Sequence, residues 1–243
     1  MNRQRMKKIA MIPARYAATR FPGKLMQLLN GKPVIRLTYE NTVATGLFDE
    51  VIVVTDSEEI LTEINASGGV AVMSINRHES GSDRIAEAAA SIDADIIVNV
   101  QGDTPFVKKA PLEKLLQQFD ESSVQVASMM QAISSLDDIM DPNFVKVAVD
   151  KNNNSLFFSR SVIPYPRDRN YPTVYYEHIG VYAFRKNALL RFTQWPITPL
   201  EAAEKIECLR YLENGIPLRM VLVDYMGVEI DTPEDLDRAA KLI

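Results

Sequence analysis

Short apolar runs recur along this chain with room for a single helix between each pair, and that spacing constrains the fold more than any other feature. Residues 8–12, 51–55, 70–73 and 96–100 are strand-length and rich in Ile and Val. The run Val51-Ile52-Val53-Val54-Thr55 has no alternating polar position, which marks a strand covered on both faces. Residues 32–44, 58–66 and 82–90 read as the intervening helices, with Asp56 and Ser57 as N-cap candidates for the second. Strands alternating with helices imply βαβ units and an α/β fold with a mostly parallel central sheet. Right-handed crossovers then bring the strand C-termini to one edge, where open α/β sheets bind their ligands.

Beyond residues 111–119 (helix) and 124–130 (strand) the alternation weakens. Residues 144–149, 156–158 and 175–184 read as extended, with Asn152-Asn153-Asn154 as a turn and Pro164, Pro166 and Pro172 punctuating a loop. The span 155–184 is expected to be a β-rich insertion, serving as a dimer arm or a lid. Residues 199–214 read as helical, 218–223 as a strand, and 233–242 as a terminal helix capped by Thr232 with Asp235 at its third position. No linker divides the chain, so residues 1–243 are expected to form one domain.

Charge and composition limit the partners. A net charge of −5 argues against a nucleic-acid binder, although a few focused cations can still make one site positive. No apolar run approaches the roughly 20 residues that span a bilayer. The basic start, residues 1–8, is followed by an apolar stretch that Pro13 interrupts, too short for the core of a secretory signal. A single cysteine, Cys208, excludes an intrachain disulfide and fits a reducing compartment. The expected location is cytoplasmic, with residues 1–5 a lead-in.

Four loops carry chemistry. The first, Pro13-Ala14-Arg15-Tyr16-Ala17-Ala18-Thr19-Arg20-Phe21-Pro22-Gly23-Lys24, combines small residues with three cations after a buried strand. Small residues open backbone N–H groups to phosphate oxygens, and Arg15 and Lys24 add a forked and a point cation. The spacing is not that of a Walker loop, and the glycine fingerprint of a dinucleotide-binding oxidoreductase is missing. The second is Asn99-Val100-Gln101-Gly102-Asp103, where a carboxylate at the tip of a buried strand must meet solvent, a donor or a cation. Asp103 is a candidate Mg²⁺ ligand, or a turn residue capping the helix near Pro111. The third, Glu229-Ile230-Asp231-Thr232-Pro233, offers Asp231 as a second metal carboxylate, though Asp-Thr-Pro is also a common helix cap. The fourth, Ser80-Gly81-Ser82-Asp83-Arg84, suits either a base edge or phosphate, or a plain cap. Ser159-Arg160, His178 and Glu207 are polar groups scattered through apolar segments, and an isolated histidine such as His178 is more often structural than catalytic.

Taken in order, Ile12 to Ala17, Pro22-Gly23-Lys24, Asn99 to Asp103, Phe158-Ser159-Arg160, His178 to Tyr182 and Asp231 to Leu236 resemble the 3-deoxy-manno-octulosonate cytidylyltransferases. Ser80 to Arg84, Asp141-Pro142-Asn143, Val145-Lys146-Val147, Trp195-Pro196 and Pro199-Leu200-Glu201 resemble them too, so the likeness runs from about Lys8 to the C-terminus. The resemblance implies a Rossmann-like nucleotidyltransferase fold, usually homodimeric, with Mg²⁺ as cofactor and CTP and an acidic 3-deoxy-ulosonic sugar as substrates, in lipopolysaccharide synthesis. It assigns the CTP phosphates to Ala14, Arg15 and Lys24, and the nucleotide's surroundings to Ser80, Gly81, Ser82 and Arg84. Asp103 and Asp231 become the metal ligands and, with Lys24, the catalytic set. Gln101, Arg160, His178, Tyr182 and Glu207 become the sugar contacts.

Two positions depart from the family pattern. Thr104 stands where the family usually has Glu or Gln, and Cys208 replaces the glutamine of Leu-Glu-Gln-Leu-Arg. They leave the sugar open between 3-deoxy-D-manno-octulosonate and a modified ulosonic acid. A non-catalytic nucleotide-binding protein on the same fold is the reading from another class.

Overall fold

The computed structural model describes residues 5–17, 21–78, 80–168, 170–224 and 229–242. Along the chain these form β1 (Lys8–Ala14), β2 (Leu28–Leu29), β3 (Lys32–Pro33), α1 (Val34–Ala44), β4 (Glu50–Thr55), α2 (Glu58–Ala66), β5 (Ala71–Met73), α3 (Gly81–Ala90), β6 (Ile96–Asn99) and α4 (Lys109–Gln117). Then come β7 (Val126–Ile133), α5 (Leu136–Met140), β8 (Lys146–Val149), β9 (Ser155–Ser159), β10 (Tyr175–Arg185), α6 (Lys186–Phe192), α7 (Pro199–Glu204), α8 (Leu209–Glu213), β11 (Arg219–Leu222) and α9 (Pro233–Ala240). The chain divides into two compact units, one built from 1–113, 184–193 and 226–243, the other from 114–183 and 194–225.

In the first unit the strands run β6-β1-β4-β5, and each neighbouring pair is parallel. Ile9 to Ile12, Val53, Val54 and Ile96 to Val98 are fully or almost fully buried, as two-sided coverage requires. The parallel α/β fold expected from the spacing is the one observed. β1 extends past residue 12 and includes Pro13, which pairs with Val54. Proline lacks the N–H that a central strand needs. The Met11 carbonyl accepts from Val100, so Pro13, two residues on, faces the same side, beyond where β6 ends at Asn99. No ladder bond is lost there.

The first helix and the span 199–214 depart from the sequence expectation. The first helix begins at Val34, because Lys32–Pro33 folds back on Leu28–Leu29 around Asn30-Gly31, both at positive φ. Asn-Gly is the strongest short-range hairpin signal, and its twist displaces the helix start. The single helix expected over 199–214 breaks in two at Lys205, whose φ of 54° is left-handed. At α2 only Ser57 caps, accepting from Ile60 N–H, while Asp56 is turned to other partners. The cap of α9 is as expected: Thr232 and Asp235 form a capping box.

In the second unit the strands run β11-β7-β10, with β11 parallel to β7 and β8 antiparallel to β9 and β10. Val126, Ala127, Met129, Phe158, Val181 and Ala183 are buried there. Among the described residues no helix is long and apolar enough to cross a membrane.

Truncating Ile97, fully buried on β6, is expected to cost about 2–5 kcal/mol through lost burial and the cavity left behind. Urea unfolding of Ile97→Ala checks this; a loss below about 1 kcal/mol would mean that the strand is not covered on both faces.

Candidate active site

The parallel strands of the first unit deliver three loops to one sheet edge. Ala14 pairs with Thr55, so β1 and β4 end level, while β6 ends at Asn99 opposite Met11, three residues earlier. Between the segments that follow β1, β5 and β6 lies a cavity of about 270 Å³, lined by residues that include Arg15, Lys24, His78, Ser80, Gln101, Asp103 and Asp231. Two glycines let the walls close up. A Cβ on Gly81 would come within 3.1 Å of the Pro13 ring, and one on Gly102 within 3.0 Å of the Pro13 carbonyl oxygen.

Lys24 is the centre of the arrangement. Gly23, at φ 66°, turns the first loop into a short 3₁₀ segment, Lys24–Met26, with Leu25 anchored in the core. The Lys24 ammonium donates to Asp103 Oδ2 at 2.5 Å and to Asp231 Oδ1 at 2.7 Å. Their side chains are 14, 20 and 44% exposed respectively. Burial disfavours the charge on Lys24, but the two carboxylates outweigh it and hold the ammonium above the ordinary lysine range. Asp103 and Asp231, far apart in sequence, therefore lie no farther apart than those two bonds allow. Neither caps a helix: the cap of α9 is Thr232, and the Asp103 carboxylate accepts from Lys24. Their backbones are also tied, since Ile230 N–H donates to the Asp103 carbonyl at 3.0 Å.

The other nucleotide candidates are placed unevenly. Ala14 and Arg15 line the cavity, and Arg15 is exposed. Arg20 lies outside the described residues, as do Ala18 and Thr19. Ser80 caps α3, accepting from Asp83 N–H and donating to its carboxylate. Ser82 is buried with its hydroxyl 3.5 Å from Asn99 Nδ2. Arg84, also buried, donates to Ser74 Oγ at 2.6 Å and Asp56 Oδ2 at 2.7 Å. Asp56 in turn accepts from Tyr16 N–H, so Arg84 braces the first loop through Asp56. Two lining or bracing residues escaped the sequence reading. His78, hydrogen-bonded to Glu87 at 3.0 Å, stands two residues before the cap of α3, and Asp56 had read only as a cap.

Gln101 belongs to the first unit and lines the same cavity. The remaining sugar candidates belong to the second. Arg160 donates to the backbone carbonyls of Glu204, Pro142 and Lys205, so it caps the C-terminus of α7 with part of its five-donor fork. His178 and Tyr182, four residues apart on β10, share a face, with ring centroids 5.3 Å apart; Phe158 meets the His178 ring edge at 4.9 Å. Ser128 Oγ lies 2.9 Å from His178 Nε2 and within reach of the Ile179 and Val181 carbonyls. Its one proton can serve only one of these three neighbours, and the ring tautomer sets whether Nε2 donates or accepts. Tyr182 bonds the buried Cys208 thiol, which burial pushes well above its ordinary range. Glu207 is partly exposed in the turn ahead of α8.

A cytidylyltransferase family model matches residues 9–223. The 3-deoxy-manno-octulosonate cytidylyltransferase of Flavobacterium johnsoniae is 56% identical, over 98% of this chain and 99% of its own. That of Christiangramia forsetii is 54% identical over 97 and 96%. The chain belongs to the 3-deoxy-manno-octulosonate cytidylyltransferase family. This bears out the resemblance drawn from the motifs. A solved CMP:2-keto-3-deoxy-manno-octonic acid synthetase complexed with CTP superposes with a TM-score of 0.93 at 39% identity, covering 97% of this chain and 98% of its own. At 17% identity and a TM-score of 0.60, the 4-diphosphocytidyl-2C-methyl-D-erythritol synthase of Anaerococcus prevotii shares the fold.

Desolvation disfavours the imidazolium of His178 and lowers its pKa to about 4. The stability gained from keeping the ring neutral is present above pH 6.5 and is lost as the pH falls toward 4. Between pH 7 and 4.5 the parent should lose roughly 2 kcal/mol more stability than His178→Gln. Urea unfolding at both pH values tests this; equal losses would show that the ring titrates normally in the folded state.

Proposed function

We propose that this chain transfers the cytidylyl group of CTP to the anomeric hydroxyl of 3-deoxy-D-manno-octulosonate, releasing pyrophosphate. One observation carries the reading: Lys24, Asp103 and Asp231 converge in the cavity that the first loop borders, in a chain whose relatives carry that activity in their names. The hydroxyl oxygen forms a bond to the α-phosphorus, the bridge from α- to β-phosphate breaks, and the hydroxyl proton passes to solvent.

The donor set suits Mg²⁺, which binds through one or two carboxylates and completes its shell with substrate phosphates and water. Among the described residues no third carboxylate, histidine or cysteine joins the pair, as expected where the nucleotide brings the rest of the shell. Asp103 and Asp231 would hold the ion. When bound, Mg²⁺ neutralises phosphate charge and acidifies a hydroxyl held against it.

The protein's own part is positioning and charge. Arg15 presents an exposed guanidinium at the cavity, suited to a triphosphate. Lys24 keeps its proton and offers a point charge beside the two carboxylates. Gln101 lines the nucleotide cavity. Within the second unit, Arg160, His178, Tyr182 and Glu207 are assigned to the acidic sugar. The charge of Arg160 and the neutral His178 ring support that assignment, because a carboxylate prefers the first and a hydroxyl the second. The reading extends to a homodimer acting in the cytoplasm on the path to lipopolysaccharide.

Asp103→Asn should lower pyrophosphate release from CTP, Mg²⁺ and the sugar by on the order of 10²-fold or more, with the unfolding midpoint little changed. Near-parental turnover would remove the metal role. A panel of ulosonic acids offered to the parent should give the highest kcat/KM for 3-deoxy-D-manno-octulosonate; a modified ulosonate that outruns it would reassign the substrate.

A further inference from the structure

In the stretch from Gln101 to Pro105, Asp103 is bonded to Lys24 and Gln101 to Asn99, but the side chain of Thr104 adds no bond. Thr104 is 2% exposed, and among the described residues its hydroxyl has no hydrogen-bond partner. Thr104 therefore does not hold the stretch through its side chain. The grip comes from α1. Thr38 Oγ1 donates to the Gly102 carbonyl at 2.9 Å, and Asn41 Nδ2 donates to the Pro105 carbonyl at 2.7 Å. Three residues apart, the two donors share one face of the helix. They take carbonyls on either side of Asp103, and the Asp103 carbonyl is held by Ile230 N–H. The Thr38 hydroxyl also lies 3.1 Å from the Val34 carbonyl of its own helix, the longer of its two contacts.

A carboxylate is aimed by the backbone that carries it. Mg²⁺ demands near-ideal octahedral geometry, so small rotations of that backbone reach the ligand bond. We propose that Thr38 and Asn41 are positioning residues, a clamp from α1 that fixes the direction of the Asp103 carboxylate for a divalent cation. The inference rests on the metal reading above. It makes α1 part of the cation site without touching the ion, a role that neither residue's sequence context announces. The orphaned Thr104 hydroxyl marks the contrast, since replacing it with an apolar group of the same shape removes no bond.

The test is a Mn²⁺ titration followed by electron paramagnetic resonance, with the full chain saturated by a non-hydrolysable CTP analogue. Calorimetry measures binding of the analogue without metal. Thr38→Val should weaken Mn²⁺ by about tenfold, the lower end for groups that orient metal ligands. Thr38→Ser, which keeps the hydroxyl, should restore parental affinity. Asn41→Ala, at an exposed position, should weaken Mn²⁺ in the same direction and keeps the idea testable if Thr38→Val fails to fold. Metal-free binding of the analogue should stay within about twofold throughout. Mn²⁺ affinity within about twofold of the parent in every folded variant would overturn the clamp while leaving the metal site standing. A parent that binds no Mn²⁺ beside the analogue would overturn the metal reading and the clamp together.

Discussion

One ammonium between two carboxylates organises this protein. Asp103 and Asp231 would repel each other at such short range, and Lys24 offsets that repulsion from a third direction. One positive charge against two negative ones leaves the trio itself with a net negative charge. Each member arrives by a different local device. A left-handed glycine turns Lys24 inward, a glycine without a Cβ lets Asp103 press against β1, and a capping box presents Asp231 just before α9.

The surroundings of the trio are held mainly through backbone groups, with one charge pair, Arg84 and Asp56, behind the first loop. Carbonyls of Gly102, Asp103 and Pro105 accept from Thr38, Ile230 and Asn41, and the first loop is tied through Tyr16 N–H and Asp56 to Arg84. Arg84 shows how a cation in a binding motif can serve structure first. Its guanidinium is buried and engaged by Ser74 and Asp56, so its influence on a nucleotide runs through the loop it braces.

In the second unit His178, Cys208 and Arg160 are subdued rather than activated. His178 is kept neutral by desolvation, the Cys208 thiol keeps its proton under burial, and Arg160 closes a helix end. Such groups are poorly suited to moving protons near neutral pH. That fits a reaction whose demands are placement and charge, with little covalent work for the protein.

The parallel sheet was legible in the sequence, as was the candidacy of the two aspartates, because burial periodicity and loop chemistry are local properties. Val51 to Thr55 needed nothing beyond its own residues to declare a two-sided strand. The family motifs, once in order, named the chemistry. The start of α1 and the break at Lys205 were missed, since a hairpin twist and a left-handed residue override helix propensity. His78, Thr38 and Asn41 were silent for a different reason: each acts on residues distant in the chain, and only folding supplies those partners. Sequence by itself determined which groups could carry charge and roughly where strands would lie. Tertiary structure alone decided that Lys24, Asp103 and Asp231 meet, because a Coulomb interaction depends on distance through space and the chain separates those residues by most of its length.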